Sequence, residues 1–250
     1  MSMLVDPNWP LAPPKAAVLG AATVSCWRIP LDAVDRQRGN RLAELLAEAE
    51  RQRAARFLRP ADRRSYIAAH AGLRLLLAAA LGRREQDLRF STGATGKPML
   101  ADGALEFSLS HSGGIVLIAL VRRLAVGVDV ERLRLVPGRE AIVRRYLHPG
   151  ERADLAALPP APAHTAFFRC WTRKEAVAKA LGLGLGLPLE RYRVSCRPGV
   201  PAALLEAQDL EPPPELWSIH DLTPSADHVG ALAVPAPSIG VLRHTLDWPD

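Results

Sequence analysis

The chain is poor in the residue types that would settle its class at once. Three of 250 residues are cysteine, Cys26, Cys170 and Cys196. They are too few for a disulfide framework and lack metal-ligand spacing, so free, buried thiols in a reducing compartment are expected. No run of about 18 apolar residues occurs, which leaves no candidate spanning helix. The apolar stretch "AAVLGAATVSC" from Ala16 follows "MSMLVDPNWPLAPP", which has no basic n-region. It reads as a first strand instead of a signal peptide, and a cytoplasmic protein is expected. Lysine is scarce: Lys15, Lys97, Lys174 and Lys179 are the only four among 32 basic residues. An excess of Arg, Ala, Leu, Gly and Pro points to a coding bias, against which the remaining lysines stand out. There is no repeat at solenoid period. "GLGLGL" at 182–187 is not a dinucleotide loop, because Leu187 stands where the third glycine belongs and the run follows a helix. A G-x-S-x-G elbow is also missing.

What is present describes an ordinary globular protein, 48% hydrophobic and 23% charged, long enough for one large domain or two small ones. The net charge of +6 is unevenly spread. Residues 1–125 hold 18 Lys and Arg against 11 Asp and Glu, and residues 126–250 hold 14 against 15. A basic half suggests that a polyanion meets it: nucleic acid, a phosphate-rich small molecule or an acidic protein.

Hydrophobic spacing predicts a strand near Ala22–Ile29, a helix over Arg41–Leu58 stopped by Pro60, and a second helix from Asp62 to Gly82. "LEFSLSHSGGIVLIALVRRLAVGVDVERL" reads as a three-stranded β-meander. Helices follow near Arg139–Leu147 and Glu151–Leu158, then "LPPAPAH" as a loop, then an amphipathic helix from Thr165 stopped by "GLGLGLP". The remainder alternates strand-like runs with Pro-rich turns. The fold class is α+β, two lobes joined near Leu124, residues 1–124 and 125–250.

Four stretches carry chemistry. In "VGVDVERL", period-2 alternation puts Asp129 and Glu131 on one face. Two readings fit: a solvent-facing strand, or a divalent-cation site, since paired hard oxygens suit Mg²⁺. In "FFRCWTRKEAVAKAL", Trp171, Glu175 and Lys179 share a helix face, either as an exposed ion pair or as a third carboxylate with a phosphate-binding lysine. In "SLSHSGG", Ser110 and His111 point to opposite faces of a strand, which disfavours a nucleophilic pair but allows anion binding. Lys97, between Gly96 and Pro98, is an exposed loop lysine or an anion ligand.

The ordered set "TGKP" at 95–98, "FSLSHS" at 107–112, "VGVDVE" at 126–131 and "WTRKEAVAKALGLGL" at 171–185 resembles the 4′-phosphopantetheinyl transferase family, in its surfactin-synthetase-associated, pseudodimeric form. That resemblance implies two similar lobes, each a small antiparallel sheet packed with helices. The first would contact the phosphates and adenine of coenzyme A, and the second would carry the metal and catalytic motifs. Asp129, Glu131 and Glu175 match metal ligands, with Mg²⁺ or Mn²⁺ as the ion. Lys179 matches a phosphate contact, while Lys174, Lys97, Ser110 and His111 match coenzyme A-binding positions. Glu151, in "YLHPGERADL", resembles a glutamate proposed to activate the attacking serine, so Glu151, Glu175 and Lys179 form the implied catalytic set. Ser65 stands where the family often has Arg, and Arg53 or Arg64 takes that phosphate contact instead; Ser108 stands for a frequent Asn. The implied reaction moves phosphopantetheine from coenzyme A to a serine of an apo acyl, peptidyl or aryl carrier protein. A monomer without nucleic-acid or membrane partners is expected. The rival readings are a metal-dependent phosphohydrolase of coenzyme A or another nucleotide, and a basic nucleic-acid-binding protein.

Overall fold

The computed structural model describes residues 7–249 apart from 18, 21, 94, 184, 185, 209 and 210, so part of the "GLGLGL" stop lies outside the described residues. The chain divides into two compact units, one of residues 1–91, 99–123 and 240–250, the other of residues 92–98 and 124–239. One division falls at Leu124; against the expected lobes of 1–124 and 125–250, residues 92–98 lie in the second unit and residues 240–250 in the first.

In the first unit the sheet order is β1 (Leu11–Ala12), β12 (Gly240–Leu246), β2 (Thr23–Pro30), β6 (Ile115–Val121), β5 (Glu106–Ser112). The pairings β1–β12 and β12–β2 are parallel, and β2–β6 and β5–β6 are antiparallel. The all-apolar β6 is buried at every residue, as a central strand covered on both faces must be. The helices are α1 (Arg36–Glu44), α2 (Glu48–Ala55) and α3 (Pro60–Leu81). The single helix expected over 41–58 is therefore two. Asp35 starts α1 by accepting from the Arg38 amide at 2.7 Å, and Glu50 starts α2 by accepting from the Ala47 amide at 2.8 Å. Helix α3 packs Ile67, Leu76 and Leu77 against Trp27, Ile29 and Ile118 in one core. A short hairpin of β3 (Phe90–Thr92) and β4 (Pro98–Leu100) follows.

The second unit has an antiparallel sheet in the order β10 (Ser218–Ser225), β11 (His228–Val234), β7 (Gly127–Arg132), and a ribbon of β8 (Tyr192–Val194) with β9 (Leu204–Ala207). Its helices are α4 (Arg139–Tyr146), α5 (Pro149–Ala156) and α6 (Pro160–Leu181). The expected meander fails here: β5 and β6 pair, but β7 pairs with β11 instead of β6. "LPPAPAH" is not a loop, since α6 begins at Pro160, where a missing N–H costs nothing because first-turn donors have no partner within the helix. Both long helices stop on a left-handed glycine, Gly82 at φ 64° and Gly182 at φ 69°, a conformation only glycine adopts cheaply. All three cysteines are free and buried, and burial pushes the Cys26 thiol up to about 12. No described helix is long and apolar enough to cross a membrane.

Candidate functional site

The site in the second unit is built on a close approach of backbone to backbone. A Cβ on Gly127 would stand 1.9 Å from the Ala176 carbonyl and 2.5 Å from the Ala180 amide, so only glycine lets β7 lie this close to α6. Gly127 faces α6, and period 2 turns Asp129 and Glu131 toward the same side. On the helix, Glu175 and Lys179 lie one turn apart. Lys179 Nζ donates to Asp129 Oδ1 at 2.7 Å, a strand-to-helix contact; of the two readings of this helix face, the purely exposed Glu175–Lys179 pair does not describe it. Burial, and then the negative charge of Asp129, push the Glu175 carboxyl above its usual range; Lys179 opposes this and Glu131 adds to it. Three carboxylates and one ammonium thus share one local field. Glu131 also lies 3.9 Å from Arg134.

As placed, no three His, Cys, Asp or Glu side chains among the described residues are arranged to hold a metal ion. The donor chemistry nevertheless fits a hard divalent cation, because such an ion would offset both the burial of Glu175 and the repulsion from Asp129 and Glu131 that raise its carboxyl. Lys97 borders the same elements. Its Nζ donates to the carbonyls of Val126 at 3.2 Å and Ala180 at 3.4 Å, tying the turn at 92–98 to the start of β7 and the end of α6. Thr95 Oγ1 donates to the Gly182 carbonyl beside it.

Two expected site residues go elsewhere. Glu151 and Lys174 are fully buried and bonded to each other, Lys174 Nζ to Glu151 Oε1 at 2.7 Å. Glu151 also accepts from the amides of Val194 and His148, both at 2.8 Å. Neither side chain presents an exposed atom to coenzyme A or a serine, because burying a charge requires that its bonding capacity be filled internally. Residues that the sequence reading did not select complete this region: Gly127, Tyr192, and Arg173 with Asp221. For Arg173 the signal was the triplet Arg173-Lys174-Glu175, since three charges at 100° steps around a helix cannot all face one solvated side; the other three had no local signal.

In the first unit, β5 is an edge strand with Ser110 buried and His111 exposed, the alternation expected of it. Arg53 and Arg64 are exposed on α2 and α3. Arg53 lies 5.7 Å over the Tyr66 ring and lines a cleft of about 580 Å³ with Ala49, Gln52, Arg56 and Phe57. Tyr66 stacks in turn on His70, with ring centroids 4.0 Å apart.

Residues 125–233 match the model of the 4'-phosphopantetheinyl transferase superfamily, and residues 35–122 match that of the 4'-phosphopantetheinyl transferase N-terminal region. The chain is 35% identical to 4'-phosphopantetheinyl transferase HetI of Nostoc sp., over 92% of this chain and 95% of that protein. It is 27% identical to 4'-phosphopantetheinyl transferase Sfp of Bacillus subtilis, over 64% and 71%. Among solved structures, holo-[acyl-carrier-protein] synthase of Thermotoga maritima aligns over 44% of this chain and 62% of that one, with 22% identity and a TM-score of 0.35. These relatives lend nothing to the phosphohydrolase or nucleic-acid readings. A match along nearly the whole chain to HetI, together with two family models that meet near the boundary between the units, means that the chain belongs to the 4′-phosphopantetheinyl transferase family.

Proposed function

We propose that this transferase works at a divalent-cation site formed by Asp129, Glu131 and Glu175, with magnesium as the ion and Lys179 beside it. The overall reaction is the family's. The phosphopantetheine group of coenzyme A passes to a serine of an apo carrier protein, and adenosine 3′,5′-bisphosphate leaves. The serine oxygen forms a bond to the β-phosphorus, the bond from that phosphorus to the bridging oxygen breaks, and the serine proton passes to a base. The bound ion would supply neutralisation of the charge that builds on the pyrophosphate oxygens. Asp129 orients Lys179 by the contact at 2.7 Å, so an ammonium stands ready beside the carboxylates for a phosphate oxygen. Ser110, His111, Arg53 and Arg64 serve the nucleotide end of coenzyme A, and Lys97 the phosphate region near α6. A basic surface suits carrier proteins that are acidic where they are modified.

The observation that carries this reading is the contact of Lys179 with Asp129, which sets the Glu175–Lys179 face of α6 against the Asp129–Glu131 face of β7; the charges of Asp129 and Glu131 then add to burial in raising the Glu175 carboxyl. Intact-mass analysis tests it. Apo carrier proteins of several pathways, incubated with coenzyme A and Mg²⁺, should gain one phosphopantetheine on serine, and the gain should vanish with a chelator. Transfer that is indifferent to chelation, or no transfer to any carrier by folded protein, sinks the proposal.

A further inference from the structure

Two ion pairs sit on consecutive residues of α6, one enclosed at both ends and one joining a buried arginine to an exposed carboxylate. Arg173 forks onto Asp221 of β10, Nε to Oδ1 at 2.8 Å and Nη2 to Oδ2 at 2.6 Å, and its Nη1 donates to the carbonyl and hydroxyl of Ser195. Lys174 donates to Glu151 of α5 and, at 2.5 Å, to the carbonyl of Tyr192 at the start of β8. The Tyr192 hydroxyl returns a bond to the Lys174 carbonyl at 2.8 Å, next to Glu175 in the chain. Successive helical residues point about 100° apart, so the two pairs grip α6 from two directions. The backbone of Gly127 meets it from a third, at Ala176 and Ala180. A helix held in this way cannot roll about its axis.

From this geometry we infer that the cluster of Glu151, Lys174 and Tyr192, with Arg173 and Asp221, fixes the roll of α6 so that Glu175 faces Asp129. Glu151 is thereby a positioning residue and not the acceptor of the serine proton. The inference rests on the reading that Glu175 serves a cation site.

The first unit supplies an independent argument. Glu50, the third residue of α2, takes the Ala47 amide and Arg74 Nε at 2.8 Å each, and Arg74 Nη1 donates to the Glu85 carbonyl at 2.8 Å. Glu151 is likewise the third residue of α5, and Arg74 and Lys174 are each the fifteenth residue of a 22-residue helix. In α3, however, Leu75 and Ala79 stand where α6 has Glu175 and Lys179. The same acid-to-cation knot is therefore built where no carboxylate has to be presented. Its recurrence assigns it to holding a long helix on a short one.

The test follows Mn²⁺ binding through the EPR signal of the free ion, with coenzyme A present and no carrier protein, alongside transfer measured with the chemical step limiting. Glu151→Gln alone leaves Lys174 buried beside a neutral group, and should weaken Mn²⁺ binding by ~10–100-fold, as for groups that orient metal ligands. The double variant Glu151→Gln with Lys174→Met removes both charges, which interiors often tolerate, and should restore binding and transfer to within about threefold. A folded double variant that stays impaired in either readout overturns the inference. Normal Mn²⁺ binding with transfer ~10²–10⁴-fold slower would mark Glu151 as the general base. If the double variant does not fold, Tyr192→Phe decides: weaker Mn²⁺ binding supports the positioning role, and unchanged binding overturns it. A wild-type protein that binds no Mn²⁺ at all would remove the cation site itself, a result separable from both.

Discussion

Helices α3 and α6 begin on a proline, run 22 residues, end on a left-handed glycine, and carry a buried cation at their fifteenth position. Each cation binds a glutamate that also caps the start of the preceding short helix. Beyond that shared frame the units diverge. The position after the cation is Leu75 in one, packed in an apolar core, and Glu175 in the other, set among acids and raised by burial and by Asp129. The frame is also tighter in the second unit. Glu50 keeps 17% exposure and Arg74 3%, whereas Glu151 and Lys174 have no exposure at all. The lesson is that one helical scaffold fixes a position in space, and the residue placed there decides between packing and chemistry.

That comparison can be broken most directly at the paired positions 75 and 175. Glu175→Ala should reduce transfer by about 10²–10³-fold or more, the scale of losing one group that stabilises charge at a reacting centre, with little change in the unfolding midpoint. Leu75→Ala should do the reverse, costing about 2–5 kcal/mol in urea unfolding while folded protein keeps its turnover. Loss of activity without loss of stability at both positions would erase the distinction.

Next in size are the knots. Lys174→Met strands a buried carboxylate and should cost about 3–5 kcal/mol. Arg74→Met should cost clearly less, because Glu50 is partly exposed and keeps His70 and the Ala47 amide as partners. Equal urea midpoints for the two variants would contradict the difference in burial.

Glycines sharpen the contrast further. Gly127→Ala drives a methyl into helix backbone that cannot turn aside, and should reach at least the upper end of the ~1–3 kcal/mol typical of overpacking. Gly72→Ala meets the Ile29 Cδ1 at 2.5 Å, the free end of a side chain, and should cost about 1 kcal/mol. Urea titration of both variants makes the comparison, and transfer should fall only for Gly127→Ala.

The smallest effect is on acid stability. Burial pushes the Glu50 carboxyl up, but hydrogen bonds from His70, the Ala47 amide and Arg74 prevail and hold it below its ordinary 4.5. The unfolded chain therefore binds this proton more readily. The stabilisation is complete above pH 4.5 and disappears as pH falls through the lower folded value. Glu50→Gln should flatten that acid limb when urea midpoints are followed from about pH 6 to pH 3.

Much of this frame was legible in the residues. Helical spacing and the stops at Gly82 and Gly182 located α3 and α6, and alternation placed Asp129 and Glu131 together. Other features were not local properties. The strand pattern of β6 and β7 says that both are strands, but β6 takes β2 as its second partner and β7 takes β11, about a hundred residues away along the chain. The start of α6 was hidden because prolines suggest loops, although the first helical turn accepts them. Glu151 and Lys174 were visible as types and not as a pair, since 23 residues separate them and only packing decides which charges are enclosed. A comparison of "PADRRSYIAAH" with "PAPAHTAFFRC", a hundred residues on, would have exposed the repeated frame.

Strand β12 has one more consequence, which concerns the order of biosynthesis. It lies between β1 and β2 in parallel with both, so the sheet of the first unit has a gap until residues 240–246 exist. A ribosome delivers residues 23–30 early and 240–246 more than two hundred codons later. Everything assigned to the second unit, residues 92–98 and 124–239, has been synthesised by then. The half of the protein encoded first is thus the half whose sheet takes in a strand from residues 240–246, and until those residues are made one flank of β2 has no partner strand.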